Sequence, residues 1–146
     1  KRHDFHSPHV YSGHLEGVNC ITFSPTLQRS FEEGIISLNE IDSFSLIEST
    51  SFATGDMLGM ILLWKKGHEE TDKINNEIVG CMTGHSEAIT SLRWRSHSNQ
   101  LISSSFDQSV RLWDVSRVYQ EGSIGAMQRW NLSDRILTLA TSDQDD

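Results

Sequence analysis

Apolar residues recur along this chain in short alternating runs rather than at helical spacing. Ile89, Leu92 and Trp94 mark one run, Leu101 and Ile102 open a second, and Val110 and Leu112 mark a third. Runs of this length and period, bounded by turn residues, predict half-buried β-strands. Asp107-Gln108 supplies a tight turn before the last of them. The stretch from His85 to Trp113 therefore predicts three short antiparallel strands lying side by side, and the fold class is all-β.

Four residues in that stretch are set to hydrogen-bond across the strands. His85, in the loop before the first strand, reaches Ser103 on the second; Asp107 in the turn accepts from the imidazole; Ser103 passes a bond toward the Trp113 indole N–H. Polar groups are tolerated inside a sheet when paired in this way.

Gly84-His85 near the start of the unit and Trp113-Asp114 at its end resemble the signature of the WD-repeat family. A second copy begins at Gly13-His14, where Val18, Ile21 and Phe23 stand as far from His14 as Ile89, Leu92 and Trp94 do from His85. Thr54 precedes Trp64 by the same interval that separates Ser103 from Trp113. In this copy Leu58 stands where the turn aspartate belongs and Asp56 comes two positions early, so its relay of His14, Thr54 and Trp64 is expected to be incomplete. A third copy is expected from about Ile124, with Trp130 in its first strand and either Asp143 or Asp145 at its turn.

The resemblance implies a partial β-propeller built from four-stranded antiparallel blades. Residues 1–12 read as an outer strand of a preceding blade or an N-terminal tail. Residues 13–83 read as a first blade with insertions near 27–51 and 65–77, 84–122 as a second blade, and 123–146 as a truncated third. Closed propellers take about four to eight blades, so remaining blades are required for closure, and open strand edges are expected without them.

Composition narrows the function. A net charge of −8 opposes the basic surface that direct nucleic-acid binding needs, and favours encounter with basic partners. No apolar run is long enough for a membrane helix. Cys20 and Cys81 lack metal-ligand or redox spacing and read as reduced thiols. His3, His6 and His9 recur every third residue, but Pro8 interrupts them and no further ligand completes a zinc set, so no metal or cofactor is expected. His85, Ser103 and Asp107 are consumed by the repeat, and no nucleophile elbow is present, so the chain does not read as an enzyme.

What remains is protein binding. Phe106 and Met57 beside the turns, with Glu16 and Glu87 two residues past each histidine, are the partner-binding candidates. Within the WD-repeat family the order of motifs, above all Ile61 to Lys65 and the charged insertion after it, is similar to the middle subunit of chromatin assembly factor and related histone-regulator chaperones. That similarity implies a nuclear scaffold binding core histones and histone chaperones. Adaptors of ubiquitin ligases, ribosome-biogenesis factors and signalling scaffolds, including cytoplasmic ones, share the fold and remain alternatives.

Overall fold

The computed structural model describes residues 13–24, 51–66, 76–95 and 98–142. Expectations for residues 1–12, for nearly all of the 27–51 insertion, for 67–75 and for Asp143 and Asp145 lie outside the described residues. The first sheet is built from β1 (Val18–Phe23), β2 (Ser51–Asp56), β3 (Ile61–Lys66) and β4 (Asn76–Met82), each antiparallel to its neighbour in that order. The second starts with β5 (Ile89–Trp94), β6 (Gln100–Ser105) and β7 (Ser109–Asp114). A helix, α1 (Val115–Glu121), and a two-residue strand, β8 (Ser123–Ile124), then precede β9 (Gln128–Asn131), which pairs antiparallel with β7 and completes a four-stranded sheet. These are two propeller blades.

The second blade is longer than the sequence expectation of 84–122. Trp130 lies opposite Val110 on the outer strand of this blade, so it does not open a third copy. The excursion through α1 and β8 supplies the length that a direct connection from Trp113 to a fourth strand lacks. Asp114 caps the helix by accepting from Ser116 N (3.0 Å), and Gly122, at φ 77°, ends it with its N–H on Val118 O.

This excursion also ties the blades together. Strand β8 pairs in parallel with β4 of the first blade, Cys81 opposite Ser123 and Met82 opposite Ile124, and so covers an edge that otherwise ends the first sheet. Helix α1 packs on β4 with Val118 fully buried. Gly80 permits that approach, because a β-carbon there would stand 2.1 Å from Gly122 O and 2.7 Å from Val118 Cγ1.

The core lies between the sheets. Ile61, Leu63, Met82, Ile89, Leu92, Leu101 and Trp113 are all almost wholly buried. Ile89 on the inner strand faces the first blade, its side chain filling the space over Gly55. The corresponding residues of β1 have no such cover among the described residues: Val18 is 53% exposed and Ile21 50%, against 0% for Ile89 and 1% for Leu92. The sequence pattern is the same in both strands, and burial differs because, among the described residues, only β5 has a sheet packed before it.

The blades are joined by a repeated side-chain bond. Asn19 Nδ2 donates to Ile89 O (3.2 Å), and Thr90, the next blade's equivalent of Asn19, donates to Ile136 O (2.7 Å). Ile136 therefore holds the place relative to the second blade that Ile89 holds relative to the first. Arg93 Nε adds a bond to Leu139 O. Residues 136–139 thus run beside β5 where an inner strand of a next blade belongs.

Candidate functional site

Strand alternation aims the polar residues of each blade at one loop histidine. In the second blade His85 Nδ1 lies 2.8 Å from Asp107 Oδ2, His85 Nε2 lies 2.7 Å from Ser103 Oγ, and Trp113 Nε1 donates to Ser103 Oγ at 2.8 Å. The row is consistent with one proton arrangement. Trp113 can only donate, so Ser103 accepts from it and donates to Nε2, leaving Nδ1–H to donate to the carboxylate. Burial pushes the His85 imidazole below its ordinary value despite the neighbouring Asp107, which keeps the ring neutral. Burial raises the Asp107 carboxyl, but donation from Ser109, His85 and Ser86 outweighs it and holds the group at about 2.

The first blade has the same row. His14 Nδ1 lies 2.7 Å from Asp56 Oδ2, His14 Nε2 2.6 Å from Thr54 Oγ1, and Trp64 Nε1 donates to Thr54 Oγ1 at 2.7 Å. The expectation that Leu58 leaves this relay without a carboxylate is corrected here. Thr54 and Asp56 are two apart on one strand and so point to the same side, which brings both to His14. Asp56 stands where Ser105 stands in the second blade, at the strand end instead of in the turn. Its other oxygen accepts from Leu58 N and Met60 N, both at 2.9 Å, and closes the turn that Asp107 closes in the second blade through Ser109 N. Leu58 faces solvent.

Serine, histidine and aspartate in a row invite comparison with a nucleophilic triad, but Ser103 is fully buried and its oxygen already takes the Trp113 N–H. No substrate carbonyl reaches it, and the row is internal wiring of the blade.

The accessible chemistry lies at the blade tips that the wiring holds. Met57 N donates to Gly17 O (3.0 Å) and Phe106 N donates to Ala88 O (3.1 Å), equivalent bonds that fasten each turn to its histidine loop. Gly59, at φ 89°, seats the first tip directly against the second, since a β-carbon there would meet His85 O at 2.5 Å. The tips thus form one continuous surface. On it Leu15, Glu16, Met57, Leu58 and Glu87 are exposed. Phe106 is only half-buried, with the Arg135 guanidinium 5.4 Å from its ring centre, so this chain itself covers part of the aromatic face. Arg135 was not among the residues singled out from sequence; it lies in a segment without strand pattern, and nothing local signals its return to the turn.

Comparison with known proteins agrees with the architecture. Residues 5–65 and 76–114 match the family model "WD domain, G-beta repeat". Histone acetyltransferase type B subunit 2 of Debaryomyces hansenii is 27% identical over 112 residues, covering 76% of this chain and 22% of that protein. A chromatin assembly factor 1 subunit of Mus musculus is 27% identical over 110 residues, covering 71% of this chain and 17% of that protein. The chain thus spans about a fifth of the length of these relatives. The crystal structure of Chaetomium thermophilum Sqt1 bound to the N-terminus of the ribosomal protein L10 superposes with a TM-score of 0.55 at 17% identity, over 84% of this chain and 24% of that one, a likeness of fold. With two blades, two histidine-centred relays and a family match over most of its length, the chain belongs to the WD-repeat family.

Proposed function

We propose that this chain is part of a non-enzymatic scaffold that binds protein partners at the blade tips, and that its partners are core histones and histone chaperones in the nucleus. The observation that carries the reading is the joined tip surface, on which Glu16 and Glu87 flank exposed Met57 and half-buried Phe106. Carboxylates beside apolar anchors suit a basic partner, with the charges setting encounter and the apolar groups supplying contact. The overall charge of −8 adds long-range attraction. Relatives named for histone acetylation and chromatin assembly support the choice of partner.

The test is recovery of partners on the full-length protein at moderate salt. Core histones are expected in the bound fraction, and Glu16→Lys with Glu87→Lys is expected to reduce them by about tenfold, two close charge contacts being worth at least that. Recovery of ribosomal proteins or ubiquitin-ligase components to the exclusion of histones, or histone recovery indifferent to the two lysines, overturns the reading.

A further inference from the structure

Arginine stands opposite arginine on the outer edge of the second blade. Arg111 on β7 pairs with Arg129 on β9 in the antiparallel register, and like charges directly opposed destabilise a sheet. The repeat does not demand them. The first blade places Leu62 opposite Cys81 at the equivalent position, two residues before Trp64 as Arg111 is two before Trp113.

No ion pair among the described residues holds either guanidinium. The ion pairs there are His14–Asp56, His85–Asp107 and Arg117–Glu121. Asp107 is the carboxylate whose field reaches Arg111, yet its oxygens already accept from His85 Nδ1, Ser86 N, Ser109 N and Ser109 Oγ, which fills the acceptor sites of a carboxylate. Arg111 Nε reaches only Ser109 Oγ, at 3.5 Å, and Arg129 Nε donates to Asn131 Oδ1 at 2.7 Å. Burial and the Arg129 charge push the Arg111 guanidinium below its ordinary value.

Gly84 lies against the Arg111 guanidinium. Gly84, at φ 148°, leaves a position where a β-carbon would meet Arg111 Nη1 at 2.2 Å. Local charge is also distinct. Residues 84–131 hold five of the twelve basic residues, all arginine, against four acidic ones, so this blade lacks the acidic excess of the rest of the chain.

We propose that Arg111 and Arg129 clamp a carboxylate of an acidic, glutamate- or aspartate-rich segment of a partner protein. Guanidinium forks match a carboxylate in plane and spacing, and its negative charge relieves the repulsion across the strands. Two arginines beside one ionised aspartate leave a single positive charge, which suits a monoanionic carboxylate better than a doubly charged phosphate. This surface is separate from the acidic tip residues Glu16 and Glu87 and takes a partner of opposite charge.

The test is fluorescence anisotropy of a labelled hexaglutamate peptide with the full-length protein at low salt. Binding is expected in the wild type. Arg111→Leu with Arg129→Thr is expected to weaken it by at least about tenfold, as truncating charge-pair partners does, while the unfolding midpoint holds or rises because a repulsion is gone. Arg111→Lys with Arg129→Lys keeps the charge but loses the forks and is expected to bind severalfold more weakly than the arginines. Should the Leu/Thr protein fail to fold, Arg129→Thr alone, at an exposed edge position, reads the same loss. No hexaglutamate binding by the wild type, equal binding by the Leu/Thr protein, equal binding by the lysine pair, or more than about tenfold preference for a phosphoserine peptide each overturns the proposal.

Discussion

Replacing Gly80 by alanine probes the joint between the blades directly. The new methyl carbon would lie 2.1 Å from Gly122 O and 2.7 Å from Val118 Cγ1. The first of these is a backbone atom and cannot rotate away. Reaching ordinary contact at 3.4 Å or more requires α1 and β8 to move outward by more than about 1 Å, in the manner of an overpacked core. That movement takes Gly122 O from Cys81 N, now at 2.8 Å, and loosens the bond from Thr83 N to Ile124 O at 3.0 Å. It also lifts Val118 and Ile124, exposed by 0% and 3%, from their seats. Overpacking costs about 1–3 kcal/mol and a lost buried hydrogen bond about 1 kcal/mol, so the total is about 2–4 kcal/mol. For a chain of this length that lowers the melting temperature by about 5–15 °C. Thermal unfolding followed by circular dichroism measures it, and amide exchange at Cys81 and Thr83 reports where the loss falls. Gly125→Ala is the control, because nothing lies within 4 Å of a β-carbon there. A Gly80→Ala protein that melts with its parent and keeps both amides protected would refute the joint as described.

Two further outcomes follow from the relays. Asp56→Ala is expected to destabilise the first blade by about 1–3 kcal/mol, since it orphans the His14 donor and two turn amides, whereas Leu58→Ala, at a 53% exposed site, stays within about 0.5 kcal/mol; chemical denaturation separates them, and the reverse order would return the relay to position 58. Acid lowers stability in two stages. His85 is held neutral in the fold, so stability begins to fall as pH drops below 6.5, where the unfolded imidazole takes a proton. The Asp107 contribution is fully present above the ordinary 3.8 and disappears as pH falls through about 2; it is about 1–2 kcal/mol after screening by solvent. Denaturation midpoints across pH should lose the second stage in Asp107→Asn, and an unchanged acid limb in that variant contradicts the assignment.

The parts of this fold written in local pattern were legible in the chain. Val110 and Leu112 alternate with polar neighbours, and the fixed interval from Ser103 to Trp113 repeats from Thr54 to Trp64, so the strands, all four members of the second relay and three of the first follow from period and spacing. The fourth member of the first relay did not, because spacing alone ties a carboxylate to the turn, while the strand's two-residue period lets Asp56 reach the same imidazole from the strand end, two positions before Leu58. Helix α1 carried its own signals, Asp114 before it and Gly122 after it, but Asp114 also closes the repeat signature, and one residue serving both roles hid the second. Trp130 stands as far before Asp143 as Trp94 does before Asp107, yet its strand is fixed by the partner it finds across the sheet. The opposed arginines are eighteen residues apart in sequence, and only the β7–β9 register brings them together.

Repeat arrays ordinarily gain and lose members one at a time, since each unit touches its neighbours through side chains and owns its own backbone pairing. Here Ser123 and Ile124, carried by the second blade, belong by hydrogen bonding to the sheet of the first. A gene duplication or excision that breaks the chain near Thr83 would therefore leave one blade with a bare outer edge and hand the other a stray strand. The segment that can be copied, deleted or transplanted intact is the pair of blades, from Gly13 through Asn131. Graft experiments on this protein should move that segment whole.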